Sequence, residues 1–155
     1  MRKWLAVASV AVLVLLLTSA STPSTATQSN NPISCVIDIQ FDCVDGDCAW
    51  RGPITGCILS PGTIEFRETP LNRVAGKTEH FFEKFIIYAP GGTISGDDAG
   101  VWNFATFKFR ANGWVTAAST PYADLVGAKF HEMGTTSDPD STWPITGFGT
   151  VMTLH

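Results

Sequence analysis

The sequence predicts an all-β domain: about eight antiparallel strands closed into a barrel, preceded by a signal peptide, with a disulfide-stapled N-terminal hairpin. Three observations predict it. From Gly62 onward, short segments rich in Val, Ile, Phe and Thr are separated by Gly, Pro, Asn and Asp, the punctuation of strands and turns. No long stretch there keeps helical apolar spacing, and no helix alternates with strands. Several segments also carry bulky apolar residues on both faces, as Phe81, Phe85 and Ile87 do against Phe82, Ile86 and Tyr88. A sheet with one buried face alternates more cleanly, so a barrel packed on its outside or within a homo-oligomer is expected, with a two-sheet sandwich as the alternative.

The first element is not part of that domain. The chain starts MRKW, continues LAVASVAVLVLLL and then reads TSASTPSTA, the order of a secretory signal: a basic start, an apolar run and small residues. The run from Trp4 to Leu17 is shorter than the roughly 20 residues that cross a bilayer, and no basic cluster follows. An uncleaved anchor, the only membrane link foreseen, is the alternative. Cleavage after Ala20 or Ala26 suits the small residues, and neither site has the cysteine a lipoprotein needs. The division is therefore residues 1–26 as signal and leader, 27–32 as a flexible linker and 33–155 as one domain. Loss of Arg2 and Lys3 leaves eight basic residues against fourteen acidic, a formal charge of −6. Such a balance disfavours a nucleic-acid partner.

The next element is fixed by sulfur. Cys35, Cys43, Cys48 and Cys57 all fall within 23 residues of an exported chain, which favours disulfides. ISCVIDIQFD reads as a strand, VDGD carries the Asp-Gly signal of a tight turn, and CAWRGPITGCIL returns beside it. Facing residues of a hairpin share one index sum: Cys43 and Cys48 give 91, Cys35 and Cys57 give 92. Nested bridges Cys43–Cys48 and Cys35–Cys57 follow, with a bulge at Gly52-Pro53 absorbing the extra residue. CVDGDC lacks the Cys-x-x-Cys of a redox pair and the paired spacings of a zinc site. As an EF-hand starting at Asp42 it would put Asp47 where glycine belongs and Pro53 where glutamate belongs, so no metal is assigned.

Six further strands are expected at residues 62–69, 78–89, 101–110, 114–119, 123–133 and 145–155. Asn112-Gly113 is read as a two-residue hairpin turn between FKFR and WVTA. Gly127, Gly147 and Gly149 suit the bends of a small barrel.

Strand parity then nominates a site. In TEHFFEKFIIYA, Glu83 shares a face with Phe81, Phe85 and Ile87, so it is the carboxyl placed among core residues. Buried there, it is a candidate catalytic acid or base, or a ligand anchor. Surface pairing with Arg110 or Lys108 is its plainer alternative. If Phe107 and Phe109 point inward, Asn103 points with them. His131 and Glu132 lie on opposite faces of one strand and do not form a dyad. Tyr122, Trp102, Trp114 and Trp143 offer aromatic surface for a ligand or for packing. His80, His131 and His155 show no metal spacing, and no phosphate loop, nucleophile elbow or cofactor motif occurs.

The stretch FIIYAPGGTISGDDAGVWNFATFKFRANGWVTAAST, with DLVGAKF and ITGFGTV after it, resembles the allene oxide cyclase and dirigent group of calycin-type barrels and the bacterial barrel proteins placed with them. The likeness runs from Gly62 to His155 and leaves the disulfide hairpin outside. It implies an eight-stranded barrel, often dimeric or trimeric, with an apolar cavity open at one end. Its members include cyclases, guides of coupling stereochemistry and proteins without known activity, and no cyclase catalytic set maps onto this chain. Two functions are carried forward: a secreted module that binds a small hydrophobic ligand or serves as an extracellular structural or interaction protein, and a cofactor-free isomerase or cyclase. Glu83, Asn103 and Tyr122 are the expected ligand-binding residues, with Glu83 the candidate catalyst.

Overall fold

The structure, a computed structural model, describes residues 31–141 and 143–155. The expected signal and leader, residues 1–26, and most of the expected linker lie outside them. Ten strands form one antiparallel sheet: β1 (Ile33–Ile37), β2 (Gln40–Val44), β3 (Asp47–Thr55), β4 (Gly62–Glu68), β5 (Arg73–Ala75), β6 (Thr78–Ala89), β7 (Gly92–Asn103), β8 (Lys108–Ala118), β9 (Lys129–Thr136) and β10 (Ile145–Leu154). The sheet closes because β10 pairs with β9 on one side and with β1 and β2 on the other. β1 and β2 act as one strand interrupted at Asp38 and Ile39, and β5 is a short addition to β6, so the closed wall has eight strands. Closure removes the unpaired edges that would otherwise invite aggregation. Among the described residues no helix is long and apolar enough to cross a membrane.

The hairpin at the entry folds as a nested pair of crosslinks. Asp45 and Gly46 take positive φ at the tip, as the Asp-Gly signal requires, and Cys43 pairs with Cys48 directly across it. Cys35 joins Cys57 with their Cα atoms 5.1 Å apart. The expected bulge at Gly52-Pro53 is not there. Val36 faces Thr55 and Gln40 faces Arg51, so the register holds one index sum from end to end. The odd residue is taken up after β3 ends, where Gly56 at φ +76° swings Cys57 back over Cys35. Two free thiols are not left over, since no unpaired cysteine exists among the described residues.

On the outside of this hairpin Arg51 donates to Asp42, Asp47 and Glu65 at 2.9, 2.9 and 3.0 Å, and Arg67 ties Asp47 to Glu65. The Arg67 hydrogen bond, more than any other partner, holds the Asp47 carboxyl below its usual value. Asp42 and Asp47 are thereby used in register, with Glu65, as cross-strand ties between β2, β3 and β4.

Two strand expectations are corrected. Asn112-Gly113 is no turn: both residues lie inside β8, and Gly113 faces Asp98. The reversal comes earlier, at Phe104 to Phe107, where Asn103 accepts hydrogen bonds from the Ala105 and Thr106 amides and Phe107 sits at φ 57°. An Asx turn there outcompetes the apolar pattern that read residues 101–110 as one strand. Likewise residues 123–125 form a 3-10 turn, and β9 begins only at Lys129.

The interior is packed by rings set against glycines. Phe81 faces Gly100, Phe85 faces Gly96 and Phe109 faces Gly134 across neighbouring strands. A Cβ added at these glycines would lie 2.3, 2.5 and 2.8 Å from the facing ring. The absent side chains are what let the rings lie flat against the wall. Phe85 also stacks on Phe130 at 4.2 Å, and both meet Phe66 edge-on or tilted. Each such fully buried ring contributes about 1.5–3 kcal/mol of transfer free energy.

Candidate functional site

The end of the barrel formed by the start of β6 and β8 and the close of β4, β7 and β9 holds a cavity of about 30 Å³. Trp50, Phe66, Phe81, Trp102 and Phe109 line it, and Glu68, Glu79, Glu83 and Glu132 supply its carboxyls. Among the described residues no Lys, Arg or His lines it. The volume suits about two water molecules or one compact polar group.

Glu83 is inward, as strand parity requires: β6 alternates buried Phe81, Glu83, Phe85 and Ile87 with exposed His80, Phe82 and Lys84. The surface alternative, pairing with Arg110 or Lys108, is excluded by that burial. Glu83 faces Asp98 directly across β6 and β7, and Asp98 is buried too. The third acid, Glu132, comes from β9. Between Asp98 and Glu132 runs β8, which turns only Ala111 and Gly113 inward at this level. A side chain on Gly113 would place its Cβ 2.5 Å from that of Asp98. These two small residues clear the path, and one oxygen from each of the three acids lies within 4.8 Å of the others.

The electrostatics of the trio are one-sided. Burial raises the Glu83 carboxyl well above its ordinary value, and Asp98 and then Glu132 push it further. Burial likewise raises Glu132, reinforced by Asp98, and lifts Asp98 to about 7 with help from Asp97. Both Asp98 oxygens and Glu132 Oε2 are buried and accept no hydrogen bond among the described residues. At the rim Glu68, an exposed residue overall, is nonetheless raised by desolvation and by Glu79. Buried polar atoms without partners are rare in folded proteins, and clusters of perturbed carboxyls mark functional sites.

Around the mouth runs a chain of aromatic contacts. Trp143 meets Phe41 at 5.8 Å, Phe41 meets Trp50 at 5.3 Å, Trp50 meets Trp102 at 6.1 Å and Trp102 meets Phe104 at 4.9 Å. Trp143 is largely exposed. The Trp102 indole nitrogen is buried without an acceptor among the described residues. Trp102 and Trp143, both noted in the sequence, thus meet at one rim. Trp114 lies elsewhere, under the Lys129 ammonium at 5.7 Å.

The other two expected ligand residues stand apart from Glu83. Asn103 spends its side-chain oxygen on the turn after β7. Tyr122 donates its hydroxyl to the Pro90 carbonyl at 2.8 Å, beside the hairpin that closes the opposite end. Asp98 is not among the residues the sequence nominates, and Glu132 enters there only as a rejected partner of His131. Parity with the core residue Phe130 carries the signal for Glu132, whereas Asp97-Asp98 on a glycine-rich strand offers no apolar alternation to orient it. No known protein family, curated protein or solved structure matches this chain.

Proposed function

We propose that the protein is an extracytoplasmic barrel that binds a small, largely apolar ligand at its mouth, with the ligand's polar end directed to the carboxyls inside. The observation that carries this reading is the shared cavity: Trp50 and Trp102 line it together with Glu83 and Glu132. Concave apolar sites with a few convergent polar groups are the usual form of small-ligand sites. A cavity of about 30 Å³ takes a head group and not a body, so the body rests on the aromatic rim from Trp143 to Phe104. The two disulfides fit an oxidising compartment, and export through the N-terminal segment is part of the proposal.

One observation favours a second reading, an isomerase or cyclase of the allene oxide cyclase barrel type: Glu83 opens onto the cavity and can touch a substrate. The experiment for the first reading is a native mass spectrum of the protein purified from its own host, repeated with Trp102→Ala. A retained small molecule that the variant loses supports it. A bare polypeptide, together with no change in tryptophan emission on adding host metabolite extract, rejects it. For the second reading, Glu83→Gln abolishes turnover of the identified substrate, and unchanged turnover removes Glu83 from the chemistry.

A further inference from the structure

We propose that Glu83, Asp98 and Glu132 together bind one divalent cation of the calcium class inside the barrel mouth. The geometry is suited to it. Calcium is held by six to eight oxygens at about 2.3–2.6 Å, so oxygens sharing one ion lie at most about 5 Å apart. One oxygen from each acid is within 4.8 Å of the other two. The three carboxylates bring six oxygens in all, and the adjoining cavity of about 30 Å³ has room for the waters that complete the shell.

An acidic cluster alone would not point to an ion; the condition of its members does. Asp98 is 5 % exposed and Glu132 2 %, yet neither Asp98 oxygen nor Glu132 Oε2 accepts a hydrogen bond among the described residues. A carboxylate buried for structural reasons is met by Arg, Lys or backbone amides, because an unpaired buried charge costs several kcal/mol. Even the more accessible acids of this barrel, Asp42, Asp47 and Glu65, each find a guanidinium. The inner trio has carboxyls converging from β6, β7 and β9, and among the described residues no Lys, Arg or His lines the cavity beside them. Ala111 and Gly113 keep the space between them clear.

The donor set also selects the ion. Oxygen ligands alone, without imidazole or thiolate, favour calcium, magnesium or manganese over zinc or copper. Magnesium dehydrates reluctantly and keeps several waters, for which a pocket of about two waters is cramped. Calcium, with looser geometry and bidentate carboxylates, fits the space better. The site shares Glu83, Glu132 and the cavity with the ligand reading above, but terbium alone reports on the cation, so the two readings fail separately.

The test uses the purified full chain, stripped with EDTA and desalted. Terbium alone is added while tryptophan is excited, because Trp50 and Trp102 line the same cavity and act as antennae. Sensitised terbium emission that calcium displaces, with a calcium-dependent rise in Tm, is the expected result. Asp98→Asn and Glu132→Gln lower the terbium affinity at least tenfold, whereas Asp45→Asn at the exposed hairpin tip leaves it unchanged. Wild-type protein with neither emission nor a Tm change at about 10 mM calcium, above the weak range of extracellular sites, overturns the proposal. Emission that persists in both inner variants assigns terbium to the outer acidic residues and overturns it equally. A silent wild-type protein overturns the idea by itself, and where one inner variant fails to fold the other still reads whether the emission comes from the trio.

Discussion

Glu83 and Asp98 face each other across β6 and β7, two buried carboxyls in direct cross-strand register, and among the described residues no basic side chain lines the cavity beside them. Like charges so placed are destabilising in a sheet. The fold therefore holds this pair, and Glu132 with it, against a cost that protons or a cation must offset.

The pH dependence of the metal-free protein follows. A carboxyl whose folded-state pKa is raised binds more protons folded than unfolded. Its stabilising share is complete below the unfolded value near 4 and is lost as pH climbs through the folded value. Glu83 and Glu132 stand well above the ordinary range and Asp98 at about 7. With EDTA present, Tm falls steadily from about pH 5 to pH 8. A thermal melt that is flat across that window would show the trio to be solvated or paired in solution.

Asp98→Asn separates charge from shape. The amide keeps the volume and offers donors to Glu83 and Glu132, whose oxygens converge on the same point. At pH 8 in EDTA the variant is stabilised by about 1–3 kcal/mol, the range for satisfying a buried polar group. Chemical denaturation measures it, with the slope m unchanged. A destabilised Asp98→Asn under those conditions would mean that the like-charge account is wrong.

How much of this was legible in the sequence depends on which force sets each element. Cys43 and Cys48 around an Asp-Gly turn define their own pairing, so the hairpin and its nested bridges follow from spacing. Glu83 is placed by alternation along a twelve-residue strand in which it shares the buried face with Phe81, Phe85 and Ile87. The turn after Asn103 was hidden because Phe104 and Phe107 continue the apolar run, and the competing Asx hydrogen bonds leave no mark in hydropathy. Asn112-Gly113, a strong local turn signal, is overridden by pairing on both sides of β8. The meeting of Asp98 with Glu132 is set by what β8 lacks, side-chain bulk at Ala111 and Gly113, and a single strand cannot report its neighbours' clearance.

Removal of the outer crosslink tests the entry limb. Cys35–Cys57 closes 22 residues and ties β1, which also seals the barrel against β10. By loop entropy Cys35→Ser with Cys57→Ser costs about 3 kcal/mol. Peptide mapping without reduction recovers the two nested links in the parent protein. Crossed links would contradict the register of β2 with β3.

Gly96→Ala probes the ring-on-glycine packing. The new Cβ would lie 2.0 Å from the Trp114 carbonyl oxygen and 2.5 Å from the Phe85 ring, so neither the β7–β8 backbone nor the Phe85–Phe130 stack escapes strain. Overpacking of this kind costs about 1–3 kcal/mol, and the backbone clash places the loss at the upper end. Adding Phe85→Leu relieves only the contact with the ring. The double variant therefore recovers part of the loss, with a coupling energy of about 1 kcal/mol in a double-mutant cycle. Full recovery would place the strain wholly in the ring, and strictly additive losses would show that Phe85 does not lie over Gly96.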